Sequence, residues 1–79
     1  LIHADALVTI ETVNEILKTT YETKIASDNA TTLAGYILEL SEGELPQVGM
    51  KVHDENMEFM IAKTHGNRID RVVIKKIED

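Results

Sequence analysis

The sequence predicts an α+β fold in which two short helices cover a small antiparallel sheet with a C-terminal three-stranded meander. Apolar residues recur at helical spacing before Pro46 and alternate with a period of two after it. The composition, 43% hydrophobic and 28% charged, is typical of a folded protein rather than a disordered tail. A chain of 79 residues is long enough for one small core, so we expect a single domain, 1–79.

A short strand and a helix are predicted first. Ala6-Leu7-Val8 has the composition of a strand, and the Thr9 side chain can accept a backbone N–H bond as the cap of the helix that follows. We place this helix at 10–18, because four apolar residues share one helical face: Ile10, Val13, Ile16 and Leu17.

A polar, irregular connection at 19–31 leads to the second predicted helix. Its apolar stripe consists of Leu33, Tyr36, Ile37 and Leu40, and either Thr31 or Thr32 can cap it. Gly35 inside the helix costs roughly 1 kcal/mol relative to Ala, which suggests that another backbone approaches closely there. Gly43 can adopt the left-handed conformation that ends a helix.

Three strands are predicted after Pro46. The first of them, 50–53, is followed by a turn in which Asn56 can tolerate a left-handed conformation. The turn leads to a second strand, in which the apolar residues Met57, Phe59 and Ile61 alternate with other side chains. Gly66-Asn67 provides a tight hairpin turn. The last strand, 68–77, alternates irregularly, so we expect its middle to be covered on both faces.

Composition excludes several functions. The net charge of -6 disfavours nucleic acid and anionic membrane surfaces as partners. With no Cys, neither disulfides nor thiolate metal sites can form, which suits a reducing cytosolic setting. No apolar run approaches the roughly 20 residues that span a bilayer. The sequon Asn29-Ala30-Thr31 has meaning only in a secreted protein, and 1–20 lack the pattern of a signal peptide.

Catalytic residues are scarce. A nucleophile would have to be Ser27 or Ser41 beside His3, His53 or His65, and neither serine lies in a strand-turn-helix motif typical of such sites. We therefore expect no enzymatic activity and assign no catalytic residues.

Carboxylates are the other candidate ligands and acids. Glu42, Glu44, Asp54 and Glu55 are expected to be solvated surface charges. An Mg²⁺ or Ca²⁺ site built from Asp54, Glu55 and Glu58 is an alternative, but such ions require about six oxygens in fixed geometry. The histidines lack metal-binding spacing. We assign no metal site.

Basic residues concentrate in the last predicted strand, namely Arg68, Arg71, Lys75 and Lys76. We interpret them as protection of an edge strand against unwanted pairing. The alternative is a docking surface for a neighbouring regulatory domain. Its apolar centre could come from Tyr36 and Leu38 or from Met57 and Met60, although Tyr36 is expected in the core.

From Thr9 to Ile77 the chain resembles the CorC/HlyC transporter-associated domain. No single segment is specific, but the order and spacing of five segments are: Val13-Asn14-Glu15-Ile16-Leu17, Thr32-Leu33-Ala34-Gly35-Tyr36-Ile37-Leu38, Leu45-Pro46-Gln47-Val48-Gly49, the strand around Phe59, and Asn67-Arg68-Ile69-Asp70-Arg71-Val72. The resemblance implies an α+β fold similar to FAD-binding domains of oxidoreductases. It also implies a longer membrane protein of the hemolysin-C or magnesium and cobalt efflux type.

The resemblance further implies the partners and the place of the domain. It would follow a transmembrane domain and a pair of CBS domains, lie on the cytoplasmic side of the cell membrane, and regulate ion transport through domain contacts or a homodimer. The alternative is a sensor that binds a nucleotide such as FAD. We expect no cofactor, because Gly35, Gly43, Gly49 and Gly66 form no phosphate-binding GxGxxG motif.

Overall fold

A computed structural model describes residues 1–77. The elements follow the order β1 (Ile2–Asp5), α1 (Ile10–Tyr21), α2 (Leu33–Leu40), β2 (Lys51–His53), β3 (Met57–His65) and β4 (Arg68–Lys76). The four strands form one antiparallel sheet in the order β1-β4-β3-β2. The predicted α+β class and the C-terminal meander of β2, β3 and β4 are confirmed.

The first strand lies earlier than predicted. β1 is Ile2–Asp5, whereas Ala6-Leu7-Val8 forms the turn that follows it, so our placement was wrong. In this turn the Asp5 side chain accepts from the Leu7 N–H at 2.8 Å, and the Ala6 N–H donates to the Asp70 carbonyl at 3.0 Å. The Asp5 side chain therefore ends the strand by accepting the Leu7 N–H, while Ala6 still bonds to β4.

Both helices are capped by threonine. Thr9 accepts from the Thr12 N–H at the start of α1, and Thr32 accepts from the Gly35 N–H at the start of α2. α1 continues to Tyr21, three residues beyond its predicted end, because Glu22 closes it in a left-handed conformation with φ 55°. Local polarity at 19–21 had suggested a loop, but the extra turn places Tyr21 against the core.

Two glycine predictions fail at α2. The helix ends at Leu40 with Ser41 as its cap, so Gly43, with φ 86°, shapes the following turn instead of ending the helix. A side-chain carbon at Gly35 would lie 3.5 Å from the Ala30 Cβ and 3.9 Å from its Cα, which are ordinary contacts. Close backbone approach therefore does not require glycine at this position.

Irregular pairing explains the pattern of β4. The register shifts at Ile61/Lys63 and Lys63/Thr64, leaving Ala62 and Asp70 without direct partners. These bulges bring Ile69 to the same face as Val72 and Ile74, so the apolar residues of β4 do not indicate burial on both faces, and that prediction was wrong. β4 is also an interior strand, so its cations do not protect an edge.

The turns of the meander use one glycine and one carboxylate. Gly66 has a positive φ of 62°, whereas the φ of Asn67 is not positive. This combination is typical of a type II′ hairpin turn. Asn56 likewise has no positive φ, because the Asp54 side chain organises its turn by accepting from the Asn56 and Met57 N–H groups at 2.9 and 2.8 Å.

The core lies between the helices and one face of the sheet. Phe59, at its centre, is completely buried and meets the Tyr36 ring edge-on, with ring centroids 5.7 Å apart. The other completely buried side chains come from both helices, the turn after β1 and strands β3 and β4: Ala6, Val13, Leu17, Leu33, Ile37, Met57 and Ile74. Met57 and Tyr36 are therefore core residues and cannot centre a docking surface.

Candidate interaction surface

The opposite face of the sheet is not covered by either helix. Strand register aligns His3, Val73, Met60 and Lys51 in one row that crosses all four strands. The flanking rows pair Asp5 with Arg71 and Glu58 with Lys75. We call this surface the outer sheet face, and it consists of His3, Asp5, Lys51, His53, Glu58, Met60, Lys63, His65, Arg68, Asp70, Arg71, Val73 and Lys75.

All three histidines of the chain lie on the outer sheet face, although they are far apart in sequence. His3 comes from β1, His53 from β2 and His65 from the end of β3, and all three are exposed. Sequence reasoning treated them as unrelated surface residues. No local pattern reveals this grouping, because it depends on which strands are neighbours and on the register shifts in β3, which place His65 on the same face as Glu58 and Met60.

The outer sheet face differs in formal charge from the rest of the sequence. The outer sheet face carries five of the eight Lys and Arg residues and three carboxylates, a formal charge of +2. Because the whole chain has a charge of -6, all other residues together carry -8. Within the face, Lys63 and Asp70 form an exposed ion pair at 3.7 Å.

The centre of the outer sheet face is apolar. Val73 and Met60 are direct cross-strand partners on the two interior strands, and both are half-buried although no helix covers them. The sequence suggested four residues for the apolar centre of a docking surface. Of these, Met60 lies at the centre of the outer sheet face, and Leu38 is exposed on α2. An apolar centre with a charged rim is typical of protein interaction surfaces.

A second exposed apolar group lies in the segment between α2 and β2. Leu45 and Val48 are 62% and 63% exposed, and with Glu44, Gln47 and Met50 they line a shallow, open depression. At the C-terminal end of the segment, the Gly49 N–H donates to the Ile61 carbonyl at 2.8 Å and the Ile61 N–H donates to the Met50 carbonyl at 2.9 Å, which holds this end against β3. These side chains therefore face solvent from a fixed backbone.

A buried tyrosine joins α2 to the turn between β2 and β3. The Tyr36 hydroxyl donates to the Asp54 carboxylate at 2.6 Å, and the other oxygen of that carboxylate organises the turn. Burial, the hydrogen bond to Asp54 and the negative charges of Asp54 and Glu39 raise the pKa of Tyr36 well above its usual value. The neutral phenol is therefore the form that the folded state favours.

This raised pKa predicts loss of stability in alkaline solution. An unfolded tyrosine loses its proton near pH 10 while folded Tyr36 keeps it, so the Tyr36 contribution is complete below pH 10 and declines above it, by up to about 1.4 kcal/mol per pH unit. Urea unfolding at increasing pH measures this slope. Tyr36→Phe should show a shallower decline, and identical slopes for the two proteins would contradict the assignment.

Another open groove lies beside α1. It is lined mainly by charged residues of α1 and of the segment 22–26. The Asn14 amide fixes that segment by accepting from the Ile25 N–H at 2.7 Å and donating to the Ile25 carbonyl at 3.0 Å. Asn14 is thus committed to holding buried Ile25, a role that its position among the polar residues of α1 did not reveal.

The candidate nucleophiles make structural bonds. Ser27 donates to the Glu39 carboxylate at 3.2 Å and accepts from the Ala30 N–H, which orders the loop before α2. Ser41 donates to the Leu38 carbonyl at the end of α2. The three histidines lie on the outer sheet face, and no hydrogen bond joins either serine to one of them among residues 1–77.

The carboxylates considered as alternative metal ligands are not brought together. Across residues 1–77, no three His, Asp or Glu side chains are grouped so as to hold a metal ion. Asp54 is bonded to Tyr36 and to its own turn, and Glu58 lies on the outer sheet face opposite Lys75. The oxygen-rich site considered from the sequence therefore has no preformed geometry.

The helix ends do not fit the pyrophosphate of a dinucleotide. The first four N–H groups of α2 all donate within the protein, to the carbonyls of Val8, Ala6 and Thr32 and to the Thr32 hydroxyl. At α1, Ile10, Thr12 and Val13 donate within the protein as well. A phosphate needs such donors to be free, so neither helix provides the cradle that FAD would require.

In the part of the chain that the structure describes, neither helix is long and apolar enough to cross a membrane.

These features define a class: a small α+β domain whose helices cover one side of a sheet and whose other side is an open face rich in charged residues. Residues 2–78 match the CorC_HlyC family, described as a transporter associated domain. The chain belongs to this family, as the sequence resemblance indicated. It matches no curated protein.

Solved structures share the fold. A transporter associated domain from a CBS domain protein of Porphyromonas gingivalis is 25% identical, with a TM-score of 0.80 over 96% of this chain and 87% of that one. The CorC_HlyC domain of a Xylella fastidiosa Temecula1 hemolysin, in complex with Mg²⁺ and Mn²⁺, is 26% identical, with a TM-score of 0.75 over 96% and 86%. A CorC_HlyC domain from Haemophilus ducreyi is 22% identical, with a TM-score of 0.76 over 99% and 97%.

Proposed function

We propose that this chain is a non-catalytic accessory domain of an ion transporter, for magnesium, cobalt or a related ion, and that it acts by contact. Its contacts are with CBS and transmembrane domains of the same protein, on the cytoplasmic side of the membrane, or with its own copy in a dimer. The observation that carries the proposal is the match of residues 2–78 to a transporter associated family. The P. gingivalis relative, which comes from a CBS domain protein, supports the CBS partner.

The proposed mechanism is a shift of conformational populations. A domain that contacts its neighbours more favourably in one transport state than in another stabilises that state by the difference in contact free energy. The outer sheet face and the exposed Leu45 and Val48 are the surfaces available for such contacts. The domain needs no reacting group for this role, because the difference in contact free energy between the two transport states is its entire contribution.

Deletion of residues 1–79 from the parent protein tests the proposal. Ion flux into vesicles and the dimer fraction are measured for the parent and for the deletion variant at equal protein amounts. We expect a changed flux or a changed dimer fraction. A parent protein carrying Phe59→Ala, which disrupts the core without removing residues, should reproduce the change. Unchanged values of both quantities in the deletion variant would contradict the proposal.

We further propose that the domain needs no bound cofactor or metal. Support comes from the N-terminal N–H groups of the helices, since seven of the first eight donate within the protein, and from the dispersed carboxylates of residues 1–77. A ligand specific to the folded state, present at 100 times its Kd, would stabilise it by about 2.7 kcal/mol. Thermal unfolding with FAD, Mg²⁺ or Mn²⁺ should therefore show no specific rise in Tm. A saturable rise with FAD would favour the sensor alternative instead.

A further inference from the structure

The outer sheet face differs from the rest of the molecule in charge. It is formally +2 while all other residues together carry -8, and its cations surround the apolar pair Val73 and Met60. We propose that the outer sheet face docks onto an acidic protein surface of the domain that precedes it in the parent transporter. This inference rests on the proposed function and specifies where contact occurs and with what chemistry.

Charge complementarity favours a protein partner with fixed carboxylates over a lipid surface. Three of the five cations on the face have an acidic neighbour: Lys63 pairs with Asp70, Arg71 faces Asp5, and Lys75 faces Glu58. Anionic membranes attract clusters of about 4–8 unpaired Lys and Arg residues. A mosaic of opposite charges instead specifies a partner whose own charges are arranged to match.

The same charges argue against a symmetric dimer through this face. An isologous interface apposes the same patch from both subunits. Cations such as Lys51 and Arg68, which have no acidic residue directly opposite them in the sheet, would then approach a second positively charged face. Positive charge on this side of an otherwise acidic domain therefore points to a partner of different, acidic composition.

The size of the face suits a tethered contact. Two strands of nine residues and two of four and three residues, spaced about 4.8 Å apart, present roughly 400 Å² in plan, well below the about 800 Å² per partner of a stable free complex. Within one polypeptide, however, a short linker gives an effective concentration on the order of millimolar. A weak, charge-dependent contact is then sufficient and remains reversible, as a regulatory contact requires.

Zero-length carbodiimide cross-linking of the intact parent protein tests the inference, because this reagent joins only amines and carboxylates in direct contact. Lys51 and Lys75 represent the outer sheet face, and Lys18 and Lys24 represent the helical side. We expect links from Lys51 and Lys75 to Asp or Glu residues of the preceding domain, identified by mass spectrometry. Replacing both by glutamine should lower the total yield of interdomain links about two- to tenfold, whereas the matched variant Lys18→Gln with Lys24→Gln should not.

Internal controls separate the outcomes. The Lys63–Asp70 link, at 3.7 Å within the domain, should form in every sample and verifies the reaction. Mixing ¹⁵N-labelled and unlabelled parent protein distinguishes links within one polypeptide from links between copies. Interdomain links only from Lys18 or Lys24, links only to a second copy, or no interdomain links would each overturn the docking inference. So would dependence of the links on phosphatidylserine vesicles. An altered flux on deletion would preserve the proposed function in all four cases.

Discussion

Phe59→Ala is expected to destabilise the domain by about 3–5 kcal/mol, the range for removing a fully buried aromatic ring from a core. Phe59 is completely buried and supports the edge-on contact with Tyr36, so its removal leaves a cavity between α2 and the sheet. Since domains are stable by only about 5–15 kcal/mol, this loss should leave the small domain marginal or unfolded at 37 °C. Urea unfolding followed by circular dichroism measures the change.

Leu38→Ala is the matched control for this experiment. Leu38 is 43% exposed on α2, so truncation removes little buried surface and should change stability by less than about 1 kcal/mol. Comparable losses for the two variants would show that Phe59 does not occupy the centre of the core.

Asp54→Ala is expected to cost about 2–4 kcal/mol, the second largest effect. The substitution removes the acceptor of the Asn56 and Met57 N–H groups and leaves the half-buried Tyr36 hydroxyl without its partner. The turn between β2 and β3 and its connection to α2 are then weakened together. Chemical denaturation measures the loss, and amide exchange at Met57 should report the opening of the turn.

A double-mutant cycle with Tyr36→Phe isolates the tyrosine–carboxylate bond. In the Asp54→Ala background the phenol has no partner, so Tyr36→Phe should cost much less than it does in the native protein, with a coupling energy of about 0.5–3 kcal/mol. Strictly additive losses would show that the 2.6 Å contact contributes no net stability.

Local patterns predicted most of the secondary structure. Thr9 and Thr32, the apolar spacing of both helices, and Gly66-Asn67 gave the correct elements, because caps, helical faces and hairpin turns depend on residues close in sequence. The first strand was misplaced because Ile2–Asp5 is stabilised by pairing with β4, whose partner residues lie 66 to 72 positions later in the sequence. The extent of α1 was underestimated because contact of Tyr21 with the core outweighs the weak helix propensity of two threonines.

The candidate surface was only partly predictable. The concentration of Arg68, Arg71 and Lys75 was visible in the sequence, but it was assigned to an edge strand. β4 lies inside the sheet because β1 pairs with it, so the same cations surround the apolar centre of a face. The convergence of three histidines on that face likewise depends on the order β1-β4-β3-β2.

The sequence by itself determined the class of fold, the family and the capped helices, since each follows from residue types at short, regular spacing. Only the tertiary structure decided which strands are neighbours, how the bulges at Ala62 and Asp70 align β4, and which charges share a face. The physical reason is that side-chain alternation fixes the two sides of each strand separately. The pairing of one strand with another depends on hydrogen bonds and burial between distant segments.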